Sequence, residues 1–325
     1  MNIFVTGGAG YIGSATAEAL LKAGHSVTIY DSLVTGYRAA IPEGAHFIQA
    51  DVGDPEALER ALAAEEYSSV MHFAAFIEAG ESMKEPGKFF KNNLANSLQL
   101  IETARICGVK RFVLSSTAAV YATNDAPLSE VSPIDPANAY GFTKLAIEQA
   151  LDWYRRIYGM HFAALRYFNA CGALAGRGEA HQPESHLIPL VLKVALGQSE
   201  AASIFGTDYP TPDGTCIRDY IHIADLVSAH LLALEALDER DGLIFNLGNG
   251  NGYSVRQVIE TARRVTGHPI PIQESARRTG DAPRLVASSD KIRAELGWNP
   301  LHPDLEDIMT SAWEWHCTHP HGYER

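Results

Sequence analysis

Thr6-Gly7-Gly8-Ala9-Gly10-Tyr11-Ile12-Gly13 begins at the last residue of the short apolar run Asn2–Thr6. It opens a helical pattern that continues to Ala23. The segment has the G-x-G-x-x-G spacing, placed between a strand and a helix. Glycines let the main chain turn sharply and approach a pyrophosphate, and the N–H groups at the start of the helix bind its negative charge. The segment therefore predicts a dinucleotide-binding turn, with contacts from Gly7, Gly10, Tyr11, Ile12 and Gly13.

Asp31 ends the next apolar run, 18 residues after Gly13. A carboxylate at this point accepts hydrogen bonds from the adenosine ribose and repels a 2′-phosphate, so NAD is the expected cofactor in preference to NADP. Asp51 and Val52 follow the third apolar run and are expected near the adenine. A turn cap is an equally good interpretation of Asp51.

Strand-like and helix-like segments alternate through the first half of the chain. Strands are predicted at Asn2–Thr6, Ser26–Tyr30, His46–Ala50, Ser69–Phe73, Arg111–Ser115 and His161–Tyr167, and helices at 11–23, 55–64, 86–107 and 136–158. This alternation predicts an α/β protein with a doubly wound parallel sheet, the Rossmann arrangement. Ligands then bind at the carboxyl ends of the strands.

The alternation stops after Asn169, where segments rich in glycine and proline separate shorter elements. Helices are predicted at 187–196, 224–237, 255–265 and 304–313, and a strand at 244–247. We therefore expect an NAD-binding domain at residues 1–172. A smaller mixed α/β substrate domain is expected at residues 173–325, with some of its segments returning to the first domain.

Composition excludes several classes of function. The 325 residues include 26 Lys and Arg against 39 Asp and Glu, a net charge of −13. Such an acidic chain is not expected to bind nucleic acid or an anionic membrane surface. No apolar run reaches the ~18 residues that a membrane span requires. The four cysteines have neither metal nor disulfide spacing, which favours a reducing cytoplasm.

No metal site is predicted. A cluster near the C-terminus contains three histidines and one cysteine, namely His316, Cys317, His319 and His321. Chain ends are usually solvated, so these residues are not expected to bind zinc.

A phenol, an ammonium and a hydroxyl are candidates for catalysis at the predicted cofactor site. Tyr140 and Lys144 are four residues apart in a helical segment, so their side chains share one face. Thr117 follows the end of a predicted strand, where side chains enter the cofactor crevice. The ammonium and a positively charged nicotinamide ring are expected to lower the phenol pKa. Tyr140 is then a candidate base, with Thr117 bridging it to a substrate hydroxyl.

A series of motifs resembles one enzyme family. In order they are TGGAGYIGS, HFAA, NN, LSSTAAVY, YGFTK, LRYFNACGA, IFGTDYPTPDGT, RDYIHIADL, NLGNG and RRTGDAP, and the resemblance spans residues 2 to 323. Together they are similar to the extended short-chain dehydrogenase/reductase superfamily. The motif IFGTDYPTPDGT followed by RDYIHIADL is more particular to its UDP-glucose 4-epimerase family.

The resemblance implies an NAD-dependent isomerase of galactose metabolism that interconverts UDP-glucose and UDP-galactose. In that family the tyrosine matching Tyr140 removes the proton from the sugar 4-hydroxyl while NAD takes the C4 hydride. The 4-keto sugar rotates and recovers hydride and proton with inverted configuration. A homodimer paired through the helices at 86–107 and 136–158 is also implied.

The same resemblance assigns further contacts. Beyond the glycine turn, Asp31, Asp51 and Val52, the implied NAD contacts are Ser32, Phe73, Ala74, Ala75, Asn92, Ser115, Tyr140, Lys144 and Tyr167. The implied nucleotide-sugar contacts are Thr117, Tyr140, Asn169, His186, Leu187, Phe205, Arg218, Arg278 and Asp281. The two arginines offer planar donor groups to a diphosphate, and Phe205 offers an apolar wall to uracil. The alternatives are ion pairs for the arginines and core packing for Phe205.

Other functions stay open. A 4-epimerase of UDP-xylose and UDP-arabinose or of UDP-glucuronate fits the same motifs. A nucleotide-sugar 4,6-dehydratase needs a carboxylate pair directly after the active-site threonine, where this chain has Ala118 and Ala119. A non-catalytic NAD sensor has no need for the three candidate catalytic groups. Leu285 stands where side-chain size limits N-acetylated sugars in the family, so at most slight activity with UDP-GlcNAc is expected.

Overall fold

The protein is described by a computed structural model that covers residues 1–124, 126–278 and 281–324. The strands are β1 (Asn2–Thr6), β2 (Ser26–Asp31), β3 (His46–Gln49), β4 (Ser69–His72), β5 (Arg111–Thr117), β6 (His161–Tyr167), β7 (Asn169–Cys171), β8 (Ala202–Phe205), β9 (Ile217–Arg218), β10 (Tyr220–His222), β11 (Gly242–Leu247), β12 (Tyr253–Ser254), β13 (Ile272–Ser275) and β14 (Arg284–Leu285). The helices are α1 (Tyr11–Lys22), α2 (Pro55–Ala63), α3 (Ala79–Ser82), α4 (Pro86–Phe89), α5 (Asn96–Ile106), α6 (Ala139–Tyr158), α7 (Leu187–Ala195), α8 (Ile223–Ala236), α9 (Val255–Thr266), α10 (Asp290–Leu296) and α11 (Leu305–Thr318).

The main sheet has seven parallel strands in the order β11-β6-β5-β4-β1-β2-β3. Its strand order reverses direction between β1 and β4, and in open α/β sheets such a point forms the ligand crevice. The predicted doubly wound parallel sheet is therefore confirmed. β11 comes from the second half of the chain and extends the sheet beside β6.

Apolar side chains cover both faces of this sheet. On β1, Ile3 and Val5 belong to a core with α1 and α8, whereas Phe4 belongs to a second core with α2, α5 and α6. Alternate residues of a strand point to opposite faces of the sheet. A strand that is covered on both faces therefore needs apolar residues at successive positions of its sequence. This explains the unbroken apolar run that precedes the glycine turn.

The second half forms small sheets around a third core. β7 pairs with β10, β8 pairs with β13, and β9 lies between β12 and β14. Apolar side chains of α7, α9 and α11 make up most of the core beneath them. The predicted strand at 244–247 lies within β11, but the other strands of this half were not predicted from the sequence.

Three predicted helices differ from the structure, and one of them, predicted to end at Trp313, continues as α11 to Thr318. The stretch predicted as one helix at 86–107 consists of α4, a π-helical segment at Phe90–Ala95, and α5. The helix predicted from Pro136 begins instead at Ala139, because Asn138 caps it by accepting a hydrogen bond from Gly141 N at 2.8 Å. In the described part of the chain, no helix combines the length and apolar character needed to cross a bilayer.

Candidate active site

A cavity lies at the carboxyl ends of β1 and β4, where the strand order reverses. Every residue predicted to contact the cofactor lines it, namely Gly7, Gly10, Tyr11, Ile12, Gly13, Asp31, Ser32, Asp51, Val52, Phe73, Ala74, Ala75, Asn92, Ser115, Tyr140, Lys144 and Tyr167. The sheet topology therefore brings together side chains that are up to 160 residues apart in the sequence.

The glycine turn has the shape that a dinucleotide requires. Gly7 has a φ of +73°, and a Cβ on it would lie 2.4 Å from Ala74 N. A Cβ on Gly13 would lie 2.2 Å from Gly7 O, so α1 can approach β1 this closely only because Gly13 lacks a side chain. Gly10 is the N-cap of α1 and has no side chain that could accept hydrogen bonds from the first N–H groups of the helix. The helix start is thus free to bind a phosphate group.

Two acidic residues border the adenosine end of the cavity. The carboxylate of Asp31 is buried at the end of β2 and accepts hydrogen bonds from Ala9 N at 3.0 Å and Leu33 N at 2.8 Å. Asp51 accepts a hydrogen bond from Gly53 N at 2.6 Å and also lines the cavity. Asp51 therefore caps a turn, as one of its two interpretations predicted, while it still faces the expected adenine position.

The candidate catalytic residues meet on the opposite wall. Tyr140 and Lys144 face the cavity from the first turns of α6, and the Thr117 hydroxyl at the end of β5 hydrogen-bonds with the Tyr140 hydroxyl. Lys144 Nζ donates to Ser115 O at 2.8 Å. α6 approaches β5 closely here because Gly141 has no side chain, since a Cβ there would lie 2.3 Å from Ala119 O.

Burial dominates the pKa values of the phenol and the ammonium in the protein alone. Burial raises the pKa of Tyr140 to about 12, and the hydrogen bond from Thr117 offsets only part of this rise. Burial also lowers the pKa of Lys144 to about 8, although the carboxylate of Glu148 acts in the opposite direction. In the protein alone, loss of solvent is therefore the dominant cause of both pKa shifts.

A buried polar network supports this wall. Glu148 accepts hydrogen bonds from Arg166 Nε at 3.0 Å and from the Ser116 hydroxyl. Arg166 Nη1 donates to the Tyr121 hydroxyl at 2.9 Å, which in turn donates to Asn246 Oδ1 at 2.7 Å. The network connects α6 to strands β5, β6 and β11, so it fixes the helix that presents Tyr140 and Lys144.

A second cavity lies in the second half of the chain. It is lined by most of the predicted nucleotide-sugar contacts, namely Asn169, His186, Leu187, Phe205, Arg218, Arg278 and Asp281. The motif RRTGDAP contributes Arg278 and Asp281, whereas its Thr279 and Gly280 lie outside the described residues. Tyr140 lines the first cavity instead, and Thr117 lines neither cavity but adjoins Tyr140 at the end of β5.

The arginines of this cavity are held by local contacts. Arg218 Nη1 donates to Ala282 O at 2.8 Å, and its Nη2 lies 3.4 Å from Asp281 Oδ1. The guanidinium of Arg278 lies over the Phe205 ring, 3.8 Å from its centroid. Arg278 is thereby fixed over an apolar ring, and Arg218 is fixed by a backbone carbonyl and a carboxylate. An ion pair and a ligand contact are compatible for Arg218, because its cationic group lines the cavity.

Comparisons with known proteins agree with this geometry. Residues 3–248 match the family described as "NAD dependent epimerase/dehydratase family". A UDP-glucose 4-epimerase of Streptomyces lividans is 48% identical over 98% of this chain and 97% of its own length. A crystal structure of UDP-glucose 4-epimerase superposes with a TM-score of 0.97 at 46% identity, covering 100% of both chains.

The chain belongs to the UDP-glucose 4-epimerases of this family. A third relative, from Bifidobacterium longum, was crystallised in complex with NAD⁺ and UDP. It is 34% identical to this chain, with a TM-score of 0.95 and coverage of 99% of this chain and 100% of its own. The epimerase family match runs from Ile3 in β1 to the residue after β11, so it includes all seven strands of the main sheet except Asn2.

Several residues of this epimerase site were not predicted from the sequence. Val34, Thr35 and Gly36 border the first cavity after Asp31, and Cys216 and Tyr220 border the second. None of them belongs to a short motif with its own chemistry, so only the folded chain places them there. The Glu148–Arg166 pair was missed for the same reason.

Proposed function

We propose that this chain interconverts UDP-glucose and UDP-galactose by oxidation and re-reduction at C4, with Tyr140, Thr117 and Lys144 at the reacting atoms. The enzyme is an NAD-dependent isomerase, and its substrate is a UDP-sugar. The positions of these three side chains support their assignment to the reaction. Tyr140 and Lys144 face the cavity that the glycine turn borders, and Thr117 contacts the Tyr140 hydroxyl.

The residues of the first cavity fit NAD. The glycine turn and the start of α1 would hold the pyrophosphate, and Asp31 would hold the adenosine ribose. When bound, NAD⁺ supplies the acceptor for the C4 hydride and a positive charge beside the phenol. Lys144 would hold the nicotinamide ribose, and its ammonium stays fixed by Ser115 O.

Tyr140 carries the proton in both directions. Its phenolate removes the proton from the sugar 4-hydroxyl and later returns it to the 4-keto sugar on the other face. Thr117 shares a hydrogen bond with Tyr140 and would bind the same sugar oxygen. Burial raises the pKa of Tyr140 to about 12 in the protein alone, and the positive charge of bound NAD⁺ beside the phenol would lower it.

The second cavity supports the nucleotide end of the substrate. Arg218 and Arg278 would bind the diphosphate, Phe205 would face the uracil, and Asn169 would offer its amide oxygen, since its nitrogen donates to Asp219 O at 2.7 Å. Anchoring the diphosphate while the sugar stays free permits the rotation that inverts C4. We propose residues 1–172 as the cofactor domain and 173–325 as the substrate domain.

One incubation tests the reaction and its substrate. Purified enzyme without added NAD is mixed separately with UDP-galactose, UDP-xylose and UDP-GlcNAc, and the products are identified by chromatography. We expect UDP-glucose from UDP-galactose and at most slight conversion of UDP-GlcNAc, because Leu285 is larger than the residues of permissive relatives. Faster conversion of UDP-xylose, or a 4-keto-6-deoxy product, would support one of the alternatives instead.

Two features of the whole protein complete the proposal. Phe142, Trp153 and Ile157 expose an apolar stripe along α6, which supports a homodimer paired through α5 and α6.

The four cysteines are free thiols, which is typical of proteins in a reducing cytoplasm. Subcellular fractionation of the source cells would test this compartment.

A further inference from the structure

Two carboxylates and two imidazoles converge in the segment that runs between the two cavities. One potential ligand atom from each of Glu179, His181, Glu184 and His186 lies within 4.8 Å of all the others. Within residues 1–124, 126–278 and 281–324, no other group of three or more His, Cys, Asp or Glu side chains is close enough to surround one ion. We propose that these four residues bind one divalent transition-metal ion, and that Zn²⁺ fits the donor set best.

The contacts within the cluster favour a shared cation over hydrogen bonds alone. Glu179 Oε1 lies 2.8 Å from Nδ1 of both His181 and His186. The same His186 Nδ1 lies 2.8 Å from Glu184 Oε1. A ring nitrogen carries at most one hydrogen, which can be directed at only one of these two carboxylates. A cation between the four groups accepts lone pairs from both oxygens and both nitrogens at once.

Burial and charge point to a divalent ion. The side chains of Glu179 and Glu184 are only 5% and 3% exposed, so both carboxylates are largely removed from solvent. Two buried negative charges are costly unless they are compensated, and one divalent cation compensates both. Imidazole nitrogen and carboxylate oxygen are common ligands of four-coordinate Zn²⁺, whereas Ca²⁺ and Mg²⁺ prefer oxygen ligands alone.

The ion would act as a structural clamp. Zinc–ligand distances of about 2.0–2.2 Å place neighbouring ligands of a tetrahedral site ~3.3–3.6 Å apart, so the 2.8 Å contacts need to open by about 0.5–0.8 Å. Ligand atoms that lie farther apart, at up to 4.8 Å, need to move closer together. Glu179 and His186 line the second cavity, and His181 lines the first. One ion in this segment would therefore fix part of the wall of both cavities without contacting the reacting atoms.

The spacing E-x-H-x-x-E-x-H from Glu179 to His186 is the sequence signal for this site. No metal was predicted from the sequence, where the histidines near the C-terminus form the more evident cluster. The two clusters are distinguishable by mutation, because the C-terminal Cys317 and His321 are exposed and do not belong to the converging group.

The test measures metal content. Tag-free enzyme is stripped with a chelator, freed of the chelator, incubated with Zn²⁺ alone, and passed through a desalting column before elemental analysis. We expect one retained zinc per wild-type chain and a higher melting temperature than that of the stripped enzyme. His181→Gln and the double variant His181→Gln/Glu184→Gln should lose the retained zinc, whereas Cys317→Ser/His321→Ala should keep it.

Folding of each variant is checked by its elution volume and its NAD content. If the variants do not fold, the stripped wild type is incubated with Co²⁺ and its absorption spectrum is recorded. Co²⁺ in the site should give the visible absorption bands of a four-coordinate N/O complex. Absence of retained zinc in the wild type overturns the proposal, as does equal retention by His181→Gln. These readouts do not involve epimerisation, so their failure is distinct from a failure of the proposed reaction.

Discussion

Tyr140 is the residue on which the proposed proton transfer depends. Replacement by phenylalanine removes the phenol hydroxyl and its bond to Thr117 but keeps the ring in the cavity wall. We expect kcat to fall by about 10²- to 10⁴-fold, the usual contribution of a positioned acid–base group, while NAD stays bound. Steady-state kinetics and the NAD content of the purified variant measure both effects. Tyr158→Phe, an exposed tyrosine on the same helix, should leave kcat unchanged; near-normal turnover of Tyr140→Phe contradicts the mechanism.

Lys144 should make the free energy of unfolding depend on pH. Burial lowers its pKa from 10.5 to about 8, so between these pH values the unfolded chain holds a proton that the folded chain has released. Stability of the wild type therefore rises with pH in this window, by up to about 1.4 kcal/mol per pH unit. Lys144→Met lacks this contribution.

Urea unfolding at pH 8 and pH 10 tests this dependence. The wild type should gain roughly 2–3 kcal/mol relative to Lys144→Met between the two pH values, because other titrations cancel in the difference. The exposed Lys110 serves as the control, since Lys110→Met should keep the slope of the wild type. Equal slopes for wild type and Lys144→Met would show that the ammonium is not buried in the folded state.

At the level of elements, the turn between β1 and α1 depends on close packing as well as on backbone conformation. Gly7 and Gly24 both have positive φ, at +73° and +83°. An added Cβ at Gly7 would collide with Ala74 N, whereas no described atom lies within 4 Å of the corresponding position at Gly24. Gly24→Ala should thus cost only about 1 kcal/mol of stability and keep NAD.

Gly7→Ala should be much more damaging than Gly24→Ala. It separates the turn from the end of β4, so we expect loss of copurified NAD together with a larger drop in stability. Thermal unfolding and the absorbance of released NAD compare the two variants. Equal NAD content would mean that this close approach does not shape the cofactor cavity.

A strand or helix could be predicted where a pattern within its own sequence determines it, and could not be predicted where it depends on pairing with distant segments. β1 and β6 were predicted with correct ends because their apolar runs are buried on both faces and end at polar or glycine residues. β9, β12 and β14 have two residues each, too short for any periodic pattern, and exist only through pairing with distant segments. The π-helical turn at Phe90–Ala95 likewise accompanies tertiary contacts, because Asn93 bonds both backbone groups of Phe76.

The candidate site shows the same division. Gly7, Asp31, Tyr140 and Lys144 belong to motifs whose spacing carries chemical meaning, and the second cavity was anticipated largely through family resemblance. The rise of the Tyr140 pKa by burial was not predicted, because the sequence does not reveal how completely a side chain is desolvated. The predicted lowering of this pKa refers to the NAD-bound protein and stays a prediction.

At the scale of the whole molecule, the exposed face of α6 defines the proposed homodimer. Trp153 and Ile157 are 60% and 62% exposed and lie one turn apart, in line with Phe142. Trp153→Lys/Ile157→Lys places two charges in the expected interface and should raise the dimer dissociation constant by at least about 30-fold, the effect of one strong interface residue. Light scattering across a dilution series measures the mass. Leu301→Lys, an equally exposed apolar residue outside α5 and α6, should leave the mass at twice that of the chain, and a wild type that scatters as a monomer contradicts the interface.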